Sequence, residues 1–301
     1  MSSNPLVSIS CITFNHASYL RQCLDSFLMQ KIDFLIEIVI HDDASTDGTK
    51  AIIEEYQCKH PDMIFPMFQQ ENQYSQGLRG MMIRYNLPRC RGKYIACCEG
   101  DDYWLDPYKL QKQVDFMEQN PDYMFSMGRV NFLYQSSMTI LPKKEFIDPA
   151  KHEFFTLGDY LKQPFSQTST FLFRNRQLKM PDWIPKVSAG DQSLVIIMTG
   201  EEGKIKFHDD YFSVYRVNEN SVMKSNFIKV LENNIQAFKY WNEYTSYKYN
   251  KLLLSRIIEN YIVYFIFKPR FMRKLYKNYF VESILQFFYK GIMLFKNMGR
   301  Q

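Results

Sequence analysis

Three carboxylates occur within four positions of the segment CCEGDDYW, residues 97–104. Glu99, Asp101 and Asp102 follow an apolar run directly and precede two aromatic residues. Acidic side chains are almost never buried without partners, and a simple turn does not require adjacent acids behind a buried strand. The segment is therefore a candidate binding or catalytic turn.

The elements that must position these acids alternate between apolar strands and amphipathic helices. Ser18 is predicted to cap the first helix, and Ser45 or Thr46 the second, which ends before Pro61. The predicted strands cover residues 6–14, 34–43, 63–68 and 94–102, and the predicted helices cover residues 18–30, 45–60 and 81–88. This alternation predicts an α/β fold with mostly parallel strands and helices on both faces of the sheet.

Polar side chains follow three of these strands at their carboxyl ends, where α/β sheets bind ligands. They are Asn15, then Asp42 and Asp43, then Asp101 and Asp102. Carboxylates that converge repel one another and raise each other's pKa unless a cation lies among them. Mg²⁺ and Mn²⁺ prefer oxygen ligands and share them with substrate phosphates. These residues therefore predict a site for a divalent metal and a diphosphate.

Several motifs in order resemble the bacterial glycosyltransferases of family 2. The matching segments are VSISCITFNHASYLRQCLDSFLMQ, EIVIHDDASTDGT, GKYIACCEGDDYWLDPYKLQKQVDFMEQNPDY, SQTSTFLFRN and, after GDQ, KIKFHDDYFSVYRVNENSV. The resemblance covers roughly residues 5–222. It implies a GT-A fold, which is Rossmann-like, with a mixed, mostly parallel sheet flanked by helices and here followed by a helical C-terminal extension. It also implies an inverting transferase that moves a sugar from a nucleoside diphosphate sugar to a hydroxyl acceptor, in the synthesis of cell-surface polysaccharide.

The resemblance assigns roles to the residues that match the family's motifs. The expected nucleotide-sugar-binding residues are Thr13, Phe14, Asn15, Asp42, Asp43 and Asp101. Asp101 and Asp102 occupy the family's DXD position for Mn²⁺ or Mg²⁺, with Asp102 as the preferred direct ligand. Asp191 occupies the position of the catalytic base that takes the proton of the acceptor hydroxyl.

The chain departs from the family at one metal-binding position. Many relatives have Tyr-Arg-x-His where this chain has Tyr215, Arg216, Val217 and Asn218. The resemblance therefore leaves the third protein ligand open between His208, Asn218 and water.

Each assignment has a structural alternative. Asp42 and Asp43 could only stabilise the start of the following helix through its dipole, and Asp191 could be a turn residue after a glycine. His208 precedes two acids and could be an ordinary surface histidine. Two rival functions also remain: a non-catalytic glycosyltransferase-like scaffold, and a nucleotidyltransferase. The segment TFNHASYL disfavours the nucleotidyltransferase because it lacks the glycine-rich loop that binds a triphosphate.

Charge and composition change toward the C-terminus. The net charge is +5, yet residues 248–301 contain 11 Lys and Arg against two acids. We therefore expect a catalytic domain over residues 1–224 and a basic, aromatic-rich helical tail over residues 225–301. Such a tail suits either a membrane interface with anionic lipids or packing against the catalytic domain or a second subunit, and no nucleic-acid motif accompanies it. The family resemblance implies a glycan or a lipid-linked glycan as the acceptor.

The six cysteines contain no Cys-x-x-Cys pair, which disfavours a zinc site or a disulfide framework. The first residues lack the pattern of a signal peptide, and no window is long and uncharged enough to span a bilayer. We therefore expect a cytoplasmic protein, with peripheral attachment to the inner face of the membrane as the alternative. The oligomeric state is left open.

Overall fold

The computed structural model describes residues 4–143, 148, 152–176, 178–217 and 227–267. The strands are β1 Val7–Thr13, β2 Ile36–Asp42, β3 Ile64–Phe68, β4 Tyr94–Glu99, β5 Tyr103–Trp104, β6 Tyr123–Tyr134, β7 Thr139–Pro142, β8 Leu172–Arg174 and β9 Lys204–Val217. The helices are α1 Ala17–Leu28, α2 Thr49–Lys59, α3 Lys109–Gln119, α4 Leu157–Lys162, α5 Gly190–Thr199, α6 Phe227–Tyr244 and α7 Asn250–Phe267. A short π-helix covers Met82–Asn86.

The described strands form one mixed sheet in the order β3-β2-β1-β4-β8-β6-β9-β5, with β7 paired to β6. Strands β3, β2, β1 and β4 are parallel, and so are β6 and β9. Strand β8 lies between β4 and β6 and is antiparallel to both, so β6 and β9 point in the same direction as β4. The predicted fold class, a mostly parallel sheet flanked by helices, is confirmed.

Two apolar layers cover the two faces of this sheet. Alternate residues of each strand point to opposite faces, so β4 sends Ala96 and Cys98 into one layer and Ile95 and Cys97 into the other. The first layer contains buried side chains of α1, α2 and α3, and the second contains side chains of α5 and the π-helix. The central strands are buried on both faces, which explains their uninterrupted apolar runs.

The predicted capping residues are wrong for the first two helices. Helix α1 begins at Ala17 with His16 as its cap residue, and the Ala17 N–H donates to Asp47 Oδ2 at 3.0 Å. Helix α2 begins at Thr49, because Asp47 Oδ1 accepts hydrogen bonds from the N–H and the hydroxyl of Thr49. One carboxylate therefore serves both helix starts. Its bonds to Thr49 are local, whereas its bond to Ala17 joins residues 30 positions apart and is not revealed by local sequence.

Helices α6 and α7 form a second compact unit. They pack as an antiparallel pair, in which Asn242 donates to Asn250 Oδ1 at 2.7 Å near the connection and the Tyr264 hydroxyl donates to Glu232 Oε1 at 3.1 Å at the far end. Trp241 and Leu253 are buried. The predicted helical character is confirmed for this part of the tail. The predicted boundary at residue 224 and the basic residues 268–301 lie outside the described residues.

No helix of the described part of the chain is both long enough and apolar enough to cross a membrane.

Candidate active site

The carboxyl ends of β1, β2, β4 and β9 lie at the same edge of the sheet. Register fixes this arrangement, since Thr13 pairs with Asp42 and Ile12 pairs with Glu99. The predicted convergence of the polar residues that follow these strands is therefore observed. It results from the parallel pairing of strands that are far apart in sequence.

An acidic turn connects β4 to β5 and contains Glu99, Asp101 and Asp102. Asp102 is only 2 % exposed, and its Oδ1 accepts a hydrogen bond from the Arg216 N–H at 2.9 Å. The Asp101 side chain is 21 % exposed. Burial raises the pKa of Asp102, as do the charges of Asp101 and Glu99. Asp101 is thus the carboxylate that faces outward, and Asp102 is anchored from behind by β9.

Asp191 joins this turn from a distant part of the chain. It lies in the first turn of α5, and burial raises the pKa of its carboxyl group, although the backbone N–H of Gln192 opposes the shift. The pKa of Glu99 is raised to about 8, by burial first and then by the charges of Asp101 and Asp191. We call Glu99, Asp101, Asp102 and Asp191 the acidic cluster.

Tyr215 on β9 faces the acidic cluster. Burial raises the pKa of its phenol, and all four carboxylates of the cluster raise it further, with Glu99 contributing most among them. From the sequence, Tyr215 is only part of the Tyr-Arg-x-His motif whose histidine is absent here. The signal that could have identified it as a site residue is its position near the end of a strand parallel to β4.

The residues expected to line the nucleotide pocket follow β1. Thr13 is buried and its hydroxyl has no hydrogen-bond partner, whereas Phe14 is 41 % exposed. Asn15 has a left-handed backbone with φ of 54°, and its Oδ1 accepts a hydrogen bond from the Thr46 N–H at 2.8 Å. Asparagine tolerates this conformation better than most residues. The loop after β1 is therefore held to the loop after β2.

Asp42 and Asp43 hold the loops beside them. Asp42 accepts hydrogen bonds from the N–H and the hydroxyl of Ser45. Asp43 accepts from the N–H groups of Gln73 and Tyr74, at 2.9 and 3.0 Å. Both side chains are buried, so each has a structural role whatever ligand the loops bind.

His208 does not lie at the acidic turn. It pairs with Gly128 in the register in which Arg216 pairs with Leu133, and five residues of strand span about 16 Å. Its Nε2 lies 3.1 Å from Ser126 Oγ, and burial lowers the pKa of the imidazole to about 4. The expectation that His208 could complete the metal site is therefore wrong, because about five residues of strand separate His208 from the acidic turn. Asn218, the other candidate, lies outside the described residues.

A different histidine lies beside the acidic turn. His16 Nε2 is 3.9 Å from Asp101 Oδ2, and sequence reasoning assigned His16 no role. The available signal was its position, since it follows Asn15 at the carboxyl end of β1, the edge where the acids were expected to converge.

The donor set fits a hard divalent cation in part. Carboxylate oxygens are the ligands that Mg²⁺ and Mn²⁺ prefer, and the mutual repulsion within the acidic cluster leaves negative charge to be neutralised. Among the described residues, however, no three His, Cys, Asp or Glu side chains are arranged to hold one ion. In this arrangement at most two protein side chains of the described residues could bind one ion, and the other positions would fall to a ligand's oxygens.

The chain was compared with protein families and curated proteins. The family model for "Glycosyl transferase family 2" matches residues 8–179. An uncharacterized protein of Mycobacterium tuberculosis is 34% identical over 172 residues, which are 56% of this chain and 47% of that protein. The chain thus spans about half the length of that relative. The putative teichuronic acid biosynthesis glycosyltransferase TuaG of Bacillus subtilis is 30% identical over 59% of this chain and 67% of its own length.

Solved structures share the fold. The S. aureus TarS fragment 1–349 in complex with UDP-GlcNAc has a TM-score of 0.63 at 17% identity, covering 91% of this chain and 76% of that one. The mannosyltransferase PcManGT of Pyrobaculum calidifontis, in complex with GDP-Man and Mn²⁺, has a TM-score of 0.57 at 18% identity, covering 79% of this chain and 64% of that one. These structures support the fold, and the family model over residues 8–179 confirms the family that the sequence motifs resembled.

Proposed function

Because the chain belongs to glycosyltransferase family 2, we propose that it is an inverting glycosyltransferase that moves a sugar from a nucleoside diphosphate sugar to a hydroxyl acceptor. One observation carries the proposal. The register of β1 with β2 and β4 brings Asn15, Asp42 and the acidic turn to the ligand-binding edge of the sheet, where the charge of Asp191, about 90 residues away in sequence, acts on Glu99. An inverting transfer requires two functions at such a site. One stabilises the leaving diphosphate, and the other removes the proton of the acceptor hydroxyl.

Asp191 is the proposed catalytic base. An acceptor hydroxyl must lose its proton as its oxygen attacks the anomeric carbon from the face opposite the leaving group. Burial raises the pKa of Asp191, which makes this carboxylate a stronger proton acceptor. The proton moves to Asp191, the new glycosidic bond forms, and the bond to the diphosphate breaks.

Asp101 and Asp102 are the proposed ligands of Mn²⁺ or Mg²⁺. When bound, such an ion stabilises the negative charge that develops on the leaving nucleoside diphosphate. The anchoring of Asp102 to the Arg216 N–H supports a rigid position for this turn. Thr13, Phe14, Asn15, Asp42 and Asp43 are the proposed wall of the nucleotide pocket, on loops held to one another by hydrogen bonds.

The relatives support the substrate class. TarS and PcManGT are described with UDP-GlcNAc and GDP-Man, which supports a nucleoside diphosphate sugar as the donor here. TuaG is named for teichuronic acid biosynthesis, which supports a cell-surface polysaccharide, free or lipid-linked, as the acceptor.

We further propose peripheral contact of the basic tail with anionic lipid. Full-length protein should sediment with vesicles that contain phosphatidylglycerol and stay in solution with pure phosphatidylcholine vesicles.

Thermal stability in the presence of nucleotides tests the function. A ligand that binds only the folded state stabilises it by about 2.7 kcal/mol at a hundredfold excess over its Kd. We expect one nucleoside diphosphate, in the presence of Mn²⁺, to raise the melting temperature by several degrees. The same nucleotide should be released from its sugar donor when an acceptor is added. A folded protein whose stability responds to none of these nucleotides would favour the non-catalytic scaffold instead.

A further inference from the structure

The loop that connects β1 to α1 holds His16 firmly beside the acidic turn. The His16 N–H donates to Thr49 Oγ1 at 2.8 Å, and its carbonyl oxygen accepts from the N–H groups of Tyr19 and Leu20, both at 2.9 Å. The next residue, Ala17, is bonded to Asp47. The backbone of His16 is therefore fixed from both sides before any ligand binds, as a ligand-binding residue requires.

The separation between His16 and Asp101 indicates how the two side chains can act together. His16 Nε2 and Asp101 Oδ2 are 3.9 Å apart, too far for a hydrogen bond. Two adjacent ligands of one octahedral ion, each at about 2.1 Å from it, lie roughly 3.0 Å apart. The observed separation is larger, so the two side chains must approach each other by side-chain rotation to bind one ion at adjacent positions, while the backbone can stay in place.

The other nitrogen of the ring has no hydrogen-bond partner. His16 Nδ1 is buried without one, and so is the hydroxyl of Thr13. Both atoms lie 3.0 Å from the point where a Cβ on Gly100 would stand. Metal-bound histidines almost always donate a second hydrogen bond, and the unpartnered Thr13 hydroxyl on the same side of Gly100 is the candidate acceptor.

We propose that His16 is the nitrogen ligand of the cation held by Asp101, in place of the histidine that this chain lacks at position 218. This inference rests on the proposed function, because the ion is the one that accompanies the donor. Three observations support it: the proximity of Nε2 to Oδ2, the partial exposure of Asp101, and the glycine at position 100, whose missing Cβ leaves room for the imidazole.

The proposal predicts a metal preference. Imidazole nitrogen binds Mn²⁺ and the later transition metals better than it binds Mg²⁺, which prefers oxygen. Loss of His16 should therefore weaken binding of Mn²⁺ more than binding of Mg²⁺. A residue that only shaped the loop would alter both affinities to a similar extent.

The test is pulsed electron paramagnetic resonance of Mn²⁺ bound to the full-length protein, with UDP and with GDP as the nucleotide probes. Wild type should show the coupling of Mn²⁺ to one ¹⁴N nucleus. The coupling should disappear in His16→Gln, and the Kd of Mn²⁺ should rise by about tenfold or more. His208→Gln is the matched control, and it should keep both the coupling and the affinity.

Two outcomes would overturn the proposal. Mn²⁺ that binds the wild-type protein with its nucleotide but shows no ¹⁴N coupling would exclude a histidine ligand while leaving the proposed function intact. This result needs no variant, so it stands even if His16→Gln folds poorly. Absence of Mn²⁺ binding with either nucleotide would overturn the metal site and the ligand together.

Discussion

The backbone N–H of Arg216 donates a hydrogen bond to Oδ1 of Asp102, although 114 residues separate them in sequence. The bond connects the end of β9 to the acidic turn after β4. Only a substitution by proline would remove this backbone donor. It stabilises the charged form of the carboxyl group against the repulsion of Asp101 and Glu99. The position of Asp102 is therefore set by the path of β9.

Substitutions on the donor side and on the acceptor side of the proposed active site should have different effects. Asp102→Asn removes a carboxylate from the acidic turn and should abolish metal-dependent binding of the donor. Asp191→Asn removes only the proton acceptor, so it should bind the donor normally and lose about 10²–10⁴ in the rate of transfer. Titration calorimetry with the nucleotide and single-turnover transfer assays separate the two effects. Equal donor affinity in Asp102→Asn and wild type would contradict the metal assignment.

Glu99 should make the metal-free protein less stable as the pH rises. Its folded pKa is about 8 and its ordinary value is 4.5, so between these values the folded state binds more protons than the unfolded state. Stability therefore falls as pH rises from about 4.5 to about 8. Glu99→Gln lacks this loss, so above pH 8 its free energy of unfolding should exceed that of wild type by about 1–3 kcal/mol. The difference is limited to this range because the side chain is only partly buried.

Urea unfolding in EDTA at pH 5 and pH 8.5 measures this difference. It should nearly vanish at the lower pH. A difference that is independent of pH would show that Glu99 acts through packing rather than through its charge.

Lys109 should produce the opposite pH dependence. It is fully buried, its Nζ donates to Gln113 Oε1 at 2.8 Å, and it lies 4.2 Å from the centre of the Trp104 ring. Burial lowers its pKa to about 7 from 10.5. Between these values the unfolded state binds more protons, so stability rises with pH.

Lys109→Met should remove this rise, which unfolding curves between pH 7 and pH 10 would detect. Lys112→Met is the control on the same helix. Lys112 is partly exposed and forms ion pairs with Asp106 and Asp210, so its loss should leave the rise in place. If Lys109→Met keeps the wild-type slope, the lysine is not buried as described.

Gly100→Ala should disturb the site more than the fold. A Cβ at Gly100 would stand 3.0 Å from His16 Nδ1 and from Thr13 Oγ1, closer than ordinary contact. Either the ring or the turn must shift by a few tenths of an ångström. We expect weaker nucleotide binding in the presence of Mn²⁺, with a melting temperature of the free protein within a few degrees of wild type.

Gly48→Ala provides the comparison for this substitution. Its added Cβ meets Ala17 at 3.6 Å, an ordinary contact, and it lies at the start of α2. Nucleotide binding should be unchanged in this variant. Equal effects of the two substitutions on binding would argue against a special role for the space beside Gly100.

Much of the fold could be predicted because its signals are local. Continuous apolar runs marked β1, β2 and β4 as strands buried on both faces, and their alternation with amphipathic helices implied parallel pairing. The helix starts were misjudged because Asp47 supplies acceptors to both α1 and α2. Its bond to Ala17 joins residues 30 positions apart, so the local pattern around α1 does not contain it.

The sequence by itself determined the family, the sheet, and the edge at which Asn15, Asp42, Asp43, Asp101 and Asp102 would gather, because strand direction and chain order dictate which ends meet. Only the tertiary structure decided which carboxylate faces outward and which histidine accompanies it. Asp101 and Asp102 are adjacent in sequence, yet Asp102 is buried and bonded to the Arg216 N–H, whereas the Asp101 side chain is partly exposed. His208 lies about five residues of strand away from the turn, whereas His16 is brought within 3.9 Å of Asp101 by the pairing of β1 with β4. Distances of this kind depend on register and on bulges, which no local pattern of residues encodes.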